Sequence, residues 1–172
     1  YANANCVGFG TGSDEIVIPG GLEFKNPYSY IDEYGFPDAR WVSSDYYDIL
    51  TQIEGLQITM GGKDNAIVVS GIDAEIPDGW YMIAIRSGYS IATAEDQLNA
   101  PELFRAGYCT FGISGDVHVM VLHNVYGWIE KQGSRPVQHI YGTSPESPDA
   151  WPGITQFDEV SDVKYMIIRG GI

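Results

Sequence analysis

The chain has 172 residues, of which 44% are hydrophobic and 13% are aromatic. This composition excludes a disordered tail and is typical of a single packed domain that buries a substantial core. The formal net charge of -14 repels phosphates and anionic lipids, so we expect neither nucleic acid nor a membrane as a partner.

The first part of the chain has the composition of an extension. Residues 1–40 are rich in Gly, Pro, Asn and Tyr and contain one predicted short strand, Glu15 to Ile18. We expect them to form an arm that packs on a neighbouring surface, ahead of a β-rich domain at residues 41–172. The stretch from Gly8 to Ser13 lacks the Lys of a phosphate-binding loop and is predicted to be a flexible loop. The start at Tyr1 without a leader pattern leaves open a removed leader or a beginning inside a longer product.

One short helix is predicted at about residues 45–55. Ser44 or Asp45 can cap its start, and Gly55 supplies a natural end. Its apolar residues recur at helical spacing on one face: Ile49, Leu50, Ile53 and Leu56.

Strand signals follow this helix. A Gly- and Asn-containing loop leads into the β-branched run Ala66 to Ile72, and a Pro-Asp-Gly turn leads into a second strand, Trp80 to Ile85. Ser87 and Gly88 predict a further turn, which would open a third strand from Tyr89 to Thr93.

Together, the helix and the strand pair resemble a module of virion proteins from phages that infect Bacteroidetes, including crAss-like phages. In that module a helix is followed by an Asp-Asn-Ala-like turn, an Ile-x-Ser-Gly strand and a glycine-flanked strand. Pro77 and Arg86 depart from the pattern. The resemblance implies a structural part of a fibre or tail, with a role in assembly and attachment. The matching segments are Asp48 to Leu56, Asp64 to Ala66, Val68 to Ile72 and Gly79 to Gly88.

The rest of the chain repeats short strand signals separated by Gly and Pro. They are Tyr108 to Ile113, Val117 to Leu122, Tyr126 to Lys131, Val137 to Tyr141 and Val163 to Arg169. This pattern predicts a mainly β fold, a single-domain antiparallel sandwich or barrel-like fold with one short helix at about residues 45–55. The run Asp116 to Leu122 is apolar on both faces apart from His118, so we expect it at the centre of the sheet.

The cysteines and histidines do not form a recognisable site in the sequence. Cys6 and Cys109 leave two alternatives open, one disulfide or two buried thiols. His118, His123 and His139 lie five and sixteen residues apart, and on a strand the first pair would face opposite sides. Because this spacing does not suit chelation, structural histidines are favoured, and no metal or other cofactor is predicted.

Aromatic residues are the positive binding signal. Twelve Tyr and four Trp exceed what a small core must hold, and exposed rings can stack on sugars or anchor a protein interface. We predict Tyr126, Trp128 and Trp151 as surface binding residues, the last in a long Pro- and Ser-rich loop from Thr143 to Thr155. The alternative is that Trp128 shares a strand face with Tyr126 and covers the core.

Catalytic motifs are weak. Adjacent acidic pairs such as Asp158-Glu159 arise by chance in a chain with 23 acidic residues, and no Gly-x-Ser-x-Gly elbow occurs. We therefore expect a non-enzymatic structural or assembly protein of a phage virion or extracellular appendage. It would form a homo-oligomer, with a trimer as one option, and contact other assembly proteins. Two alternatives stay open: a secreted carbohydrate-binding β-sandwich module, and a small hydrolase whose acid and base groups would converge in a pocket.

Overall fold

The computed structural model describes residues 4–15, 47–91, 113–132, 137–139 and 144–170. These ranges contain three helices, namely α1 Cys6–Gly10, α2 Ile49–Thr59 and α3 Pro152–Thr155. They also contain seven strands, which are β1 Ala66–Val69, β2 Trp80–Ile91, β3 Ile113–His123, β4 Gly127–Lys131, β5 Val137–His139, β6 Glu159–Val160 and β7 Lys164–Arg169.

All seven described strands belong to one antiparallel sheet. Six of them follow one another in the order β1-β7-β2-β3-β4-β5, and the short β6 pairs with β2 beside this path. The mainly β, antiparallel fold predicted from the sequence is confirmed. Strand β3 lies between β2 and β4, as its apolar sequence predicts, because a strand that is covered on both faces needs apolar residues on both.

The predicted helix is observed, with both ends displaced along the chain. Asp48 caps it, since its carboxylate accepts a hydrogen bond from the Thr51 N–H at 3.4 Å. Gly55 is buried inside the helix, and the end comes at Thr59, before the positive-φ residue Gly61. The signals for the ends were therefore shifted by a few residues. Of the predicted apolar face, Ile53 and Leu56 are buried and Ile49 is partly buried, whereas Leu50 is 60% exposed and does not belong to the packed face.

The sheet separates two layers of core. One layer packs α1 and α2 against the first face of the sheet, and its residues include Val7, Phe9, Ile53, Leu56, Ile83, Ile85, Val119 and Val121. The other packs residues 144–163 against the opposite face, and its residues include Met82, Ala84, Met120, Trp128, Trp151, Ile154, Tyr165 and Ile167. Successive residues of β2 and β3 alternate between these layers, as expected for strands that are buried on both sides.

Two predictions about chain organisation can be compared with the structure. Residues 4–15 pack on the sheet of their own chain, while the rest of the predicted arm and the boundary between residues 40 and 41 lie outside the described residues. The predicted turn at Ser87 and Gly88 is wrong, because β2 runs through both without a break. Gly88 pairs with Asp116 on one side and with Val160 on the other, so its small size serves close packing between strands.

The part of the chain that the structure describes contains no helix of sufficient length and apolar character to cross a membrane.

Candidate active site

The hairpin of β3 and β4 places a histidine beside a glutamate. Met120 pairs with Glu130 across the hairpin, and His118 lies two residues from Met120 on the same face of β3. Diagonal neighbours of this kind are within reach of long side chains. His118 Nε2 lies 2.7 Å from Glu130 Oε2, and the two side chains are only 9% and 14% exposed.

Helix α1 brings a thiol to the same histidine. Asn5 caps this helix by accepting a hydrogen bond from the Gly8 N–H at 2.7 Å, and Cys6 is the first helical residue. The Cys6 thiol is free and partly exposed, and it donates to the Val117 carbonyl at 3.5 Å. The Cys6 side chain also contributes to the raised pKa of the neighbouring His118 imidazole.

Two glycines allow α1 to pack closely against its surroundings. A Cβ atom on Gly10 would lie 2.5 Å from Val119 Cγ1 of β3, and one on Gly8 would lie 2.0 Å from the carbonyl oxygen of Glu15, which follows the helix. The glycine-rich stretch after Cys6 was predicted to be a flexible loop, and for residues 8–10 this is wrong. These residues form a buried helical turn, in which the absence of a side chain at Gly10 makes room for β3.

Burial and pairing act in opposite directions on the pKa values of His118 and Glu130. Burial disfavours the charged imidazole, but the hydrogen bonds and charges of Cys6 and Glu130 outweigh it and raise the pKa of His118 from 6.5 to about 9. Burial likewise disfavours the Glu130 carboxylate, yet the hydrogen bond from His118 holds the pKa of Glu130 below its usual value. The structure therefore favours an imidazolium paired with a carboxylate.

Trp151 covers this pair. Its ring meets the His118 ring edge to face, with centroids 5.9 Å apart and planes at 82°. Its Nε1–H donates to the Pro145 carbonyl at 2.8 Å, which fixes the indole in the core layer. Trp151 therefore keeps water from one side of the imidazole.

The burial of the aromatic residues corrects part of the sequence-based prediction. Trp151 is 1% exposed and Trp128 is 9% exposed, so neither is a surface ring. Trp128 packs against Tyr165 in the same core layer, which agrees with the alternative that it covers the core. The loop with Trp151 folds back because its indole has a buried acceptor. Tyr126 is 60% exposed, as predicted.

The other two histidines lie elsewhere. His123 ends β3, where its Nδ1 accepts hydrogen bonds from the N–H groups of Val125 and Tyr126 and its ring stacks on Tyr126. His139 belongs to β5. Among the described residues, no group of three or more His, Cys, Asp and Glu side chains is arranged to hold a metal ion.

An open cleft of about 370 Å³ lies between the start of α2 and strand β6. Ser87 lines it, and Ser87 is the β2 partner of Val117, whose carbonyl accepts the Cys6 thiol. The cleft and Cys6 thus lie at the same level of the β2–β3 pair. Three carboxylates and one ammonium group line it, those of Asp48, Glu159, Asp162 and Lys164.

Sequence reasoning considered Cys6 and His118 separately and did not single out Glu130. The sequence does contain a signal for the His118–Glu130 pair. The two residues lie on either side of the turn before Gly127, and Gly127, with φ 74°, sets the register of the hairpin. That register alone would have placed the two side chains on one face. No comparable signal connects Cys6 with His118, which are 112 positions apart in the chain.

Comparison with protein-family models, with curated proteins and with solved structures finds no match for this chain.

Proposed function

We propose that this protein is a hydrolase with a cysteine nucleophile, in which Cys6 attacks, His118 transfers protons and Glu130 orients the imidazole. Two observations support it: His118 Nε2 lies 2.7 Å from Glu130 Oε2, and the Cys6 thiol lies at the carbonyl of Val117, the residue before His118, and contributes to the raised pKa of the imidazole. Nucleophile, base and orienting group in this order are the recurring signature of acyl-transfer enzymes on unrelated folds.

The exposure of the three groups favours chemistry over a purely structural role. Cys6 is partly exposed, whereas His118 and Glu130 are buried behind it. A substrate can therefore reach the sulfur while the base and its carboxylate stay shielded from water. An imidazolium beside the sulfur stabilises the thiolate, which is the nucleophilic form.

The proposed reaction has two steps. In the first, the sulfur of the Cys6 thiolate bonds to the carbonyl carbon of the substrate, and the protonated His118 gives a proton to the departing amine or alcohol. In the second, a water molecule gives a proton to His118 and its oxygen displaces the sulfur, which releases the acid and restores the thiolate and the imidazolium. Glu130, 2.7 Å from Nε2, orients the imidazole throughout.

The substrate class follows from the nucleophile and the cleft. A thiolate of this kind cleaves amide, ester or thioester bonds. Because carboxylates outnumber the ammonium group around the cleft, a neutral or amine-bearing acyl group fits the local charge better than an anionic one.

The first experiment measures the reactivity of Cys6. We expect iodoacetamide to alkylate Cys6 of the folded protein to completion, as read by peptide mass spectrometry, and His118→Ala to slow the reaction by about tenfold or more. Cys109→Ser is the matched control and should leave the Cys6 rate unchanged. An unreactive Cys6 in the folded protein would contradict the proposal.

The second experiment measures turnover. Hydrolysis of p-nitrophenyl acetate and of a panel of fluorogenic peptide amides should fall by about 10³-fold or more in Cys6→Ser. Equal turnover by the wild type and Cys6→Ser would refute the nucleophile. This proposal is the opposite of the non-enzymatic role expected from the sequence, and the same assay decides between them.

A second candidate is the self-associating virion or appendage protein expected from the sequence. The observation that favours it is β1, which is an edge strand of the sheet formed by the described residues and whose Ile67 and Val68 side chains are 39% and 46% exposed. Light scattering should then show an oligomer that Val68→Lys dissociates, while Cys6→Ser leaves it intact. A monomer at micromolar concentration would argue against this candidate.

A further inference from the structure

A second cavity, of about 300 Å³, lies at the opposite end of the sheet from Cys6. The ends of β2, β3 and β7 meet there, and its walls include Ile76, Trp80, Tyr81, Leu122, His123 and Asn124. Along β3, the six steps from Val117 to His123 correspond to about 20 Å at roughly 3.3 Å per residue. We propose that this cavity binds an uncharged saccharide, independently of the chemistry at Cys6.

The first wall of the cavity is a fixed indole. The guanidinium carbon of Arg169 lies 4.5 Å from the centroid of the Trp80 ring. Arg169 is itself held, because its Nε donates to Asn65 Oδ1 at 3.1 Å and one terminal nitrogen donates to the Asp64 carbonyl at 3.1 Å. Trp80 is thus orientated before any ligand arrives, and little conformational entropy is lost on binding.

A second part of the lining, at the end of β3, is held in place as well. Two backbone N–H groups donate to His123 Nδ1, so its neutral ring carries the proton on Nε2, where it can donate to a ligand. The Tyr126 ring stacks on this imidazole with centroids 4.9 Å apart and planes at 29°. Asn124, which is exposed, adds an amide with donors and an acceptor.

The charge of the lining selects the class of ligand. No carboxylate, ammonium or guanidinium group belongs to the residues that line this cavity in the described part of the chain. The Arg169 guanidinium on one face of Trp80 also disfavours a ligand cation at that ring, and the net charge of -14 disfavours an anion. A neutral ligand remains.

The mixture of aromatic and polar groups favours a saccharide over an apolar side chain. A sugar ring presents C–H groups on its faces, which pack on aromatic rings, and hydroxyl groups on its edge, which exchange hydrogen bonds with an imidazole N–H and an amide. The volume lies at the lower limit for small-molecule sites and suits one or two sugar rings more than a folded partner.

The test uses the full chain carrying Cys6→Ser, so that no turnover occurs. Maltotriose, cellotriose and N,N′,N″-triacetylchitotriose are the uncharged probes, titrated by NMR with the four indole N–H signals as reporters. We expect at least one of them to saturate at millimolar concentration or below and to shift the Trp80 indole signal. Trp80→Leu should weaken that binding by about tenfold or more, and Asn124→Ala by about threefold or more, on the scale of lost stacking and hydrogen bonds.

Val125→Ala is the matched control. Val125 belongs to the same turn and is 73% exposed, but it does not line the cavity, so binding should be unchanged. Trp80 also packs on the core, so the amide NMR spectrum of Trp80→Leu must show that this variant is folded. If Trp80→Leu does not fold, the Asn124→Ala variant alone tests the binding site.

Three results would overturn the inference. They are the absence of saturable binding by any of the three probes, binding that Asn124→Ala and Trp80→Leu both leave unchanged, and binding of an apolar tripeptide at this site in preference to all three sugars. None of these results bears on Cys6, whose alkylation and turnover are measured without a saccharide.

Discussion

Two histidines of strand β3 show how position decides the chemistry of one residue type. His118 lies inside the sheet, where Glu130 Oε2 is 2.7 Å from its Nε2 and the Trp151 ring meets its ring edge to face. His123 lies at the strand end, where backbone N–H groups and the exposed Tyr126 are its partners. The first is paired with a carboxylate in the interior, and the second holds a turn together. Burial and neighbours, more than the residue itself, separate the two roles.

The largest expected effect comes from replacing each histidine with glutamine. His118→Gln should lower the hydrolysis rate by about 10³-fold or more, because glutamine cannot take the thiol proton. His123→Gln removes the acceptor of two backbone N–H groups. Because His123 lies about 20 Å along β3 from Val117, beside which Cys6 lies, the rate should stay within a factor of about two. Steady-state kinetics with p-nitrophenyl acetate measures both.

The pair of variants also controls for folding. Each should have the circular dichroism spectrum of the wild type, so that a lost rate reports on chemistry. If both variants lose activity equally, or if neither does, the contrast between the two ends of β3 is wrong.

A smaller effect is expected in the pH dependence of stability. The pKa of His118 is raised from 6.5 to about 9 in the folded protein, so its contribution is complete below pH 6.5 and is lost as the pH rises through 9. The pKa of Glu130 is lowered from 4.5, so its contribution is present above pH 4.5 and is lost as the pH falls through the lowered value. The pair should stabilise the fold most between about pH 4.5 and pH 6.5.

Urea unfolding across this range gives the measurement. The wild type should lose about 2 to 3 kcal/mol relative to His118→Gln between pH 6.5 and pH 9. Glu130→Gln is the control for the cause, because it leaves the buried imidazole without its carboxylate and should lower the pKa of His118, as followed by NMR of the ring protons. A difference between wild type and His118→Gln that does not change with pH would show that the imidazole is not charged in the fold.

The sheet could be predicted from the sequence because its signals are local. Runs such as Val117 to Leu122 combine β-branched residues with turn residues at each end, and the observed strand differs mainly in length. The wrong turn at Ser87 and Gly88 shows the limit of this reasoning. A glycine that marks a turn and a glycine that lets strands or rings approach look the same in one sequence, and Gly88 is of the second kind.

The candidate site could not be predicted, because none of its contacts is local. Helix α1 has only five residues, too few for a periodic apolar pattern, and its glycines have the composition of a loop. His118 appeared as one polar residue in an apolar strand, which is more often structural than catalytic. Only the fold brings Cys6, His118 and Glu130 into one region. The burial of His118 and Glu130 also depends on tertiary structure, because the Trp151 ring that contacts His118 comes from a distant part of the chain.

The smallest expected effect tests how α1 is seated on β3. Gly10→Ala places a Cβ atom 2.5 Å from Val119 Cγ1, and the β-branched Val119 side chain has little freedom to move away. Helix α1 must therefore shift, which should cost about 1 to 3 kcal/mol of unfolding free energy and draw Cys6 away from His118.

The matched control is Gly153→Ala in α3, where no atom lies within 4 Å of the new Cβ and the change should be neutral or stabilise by up to about 1 kcal/mol. Urea unfolding and the Cys6 alkylation rate, measured together, separate the two effects. If Gly10→Ala lowers stability and leaves the alkylation rate unchanged, then α1 supports the core without positioning the thiol, and only the contrast in stability between the two glycines survives.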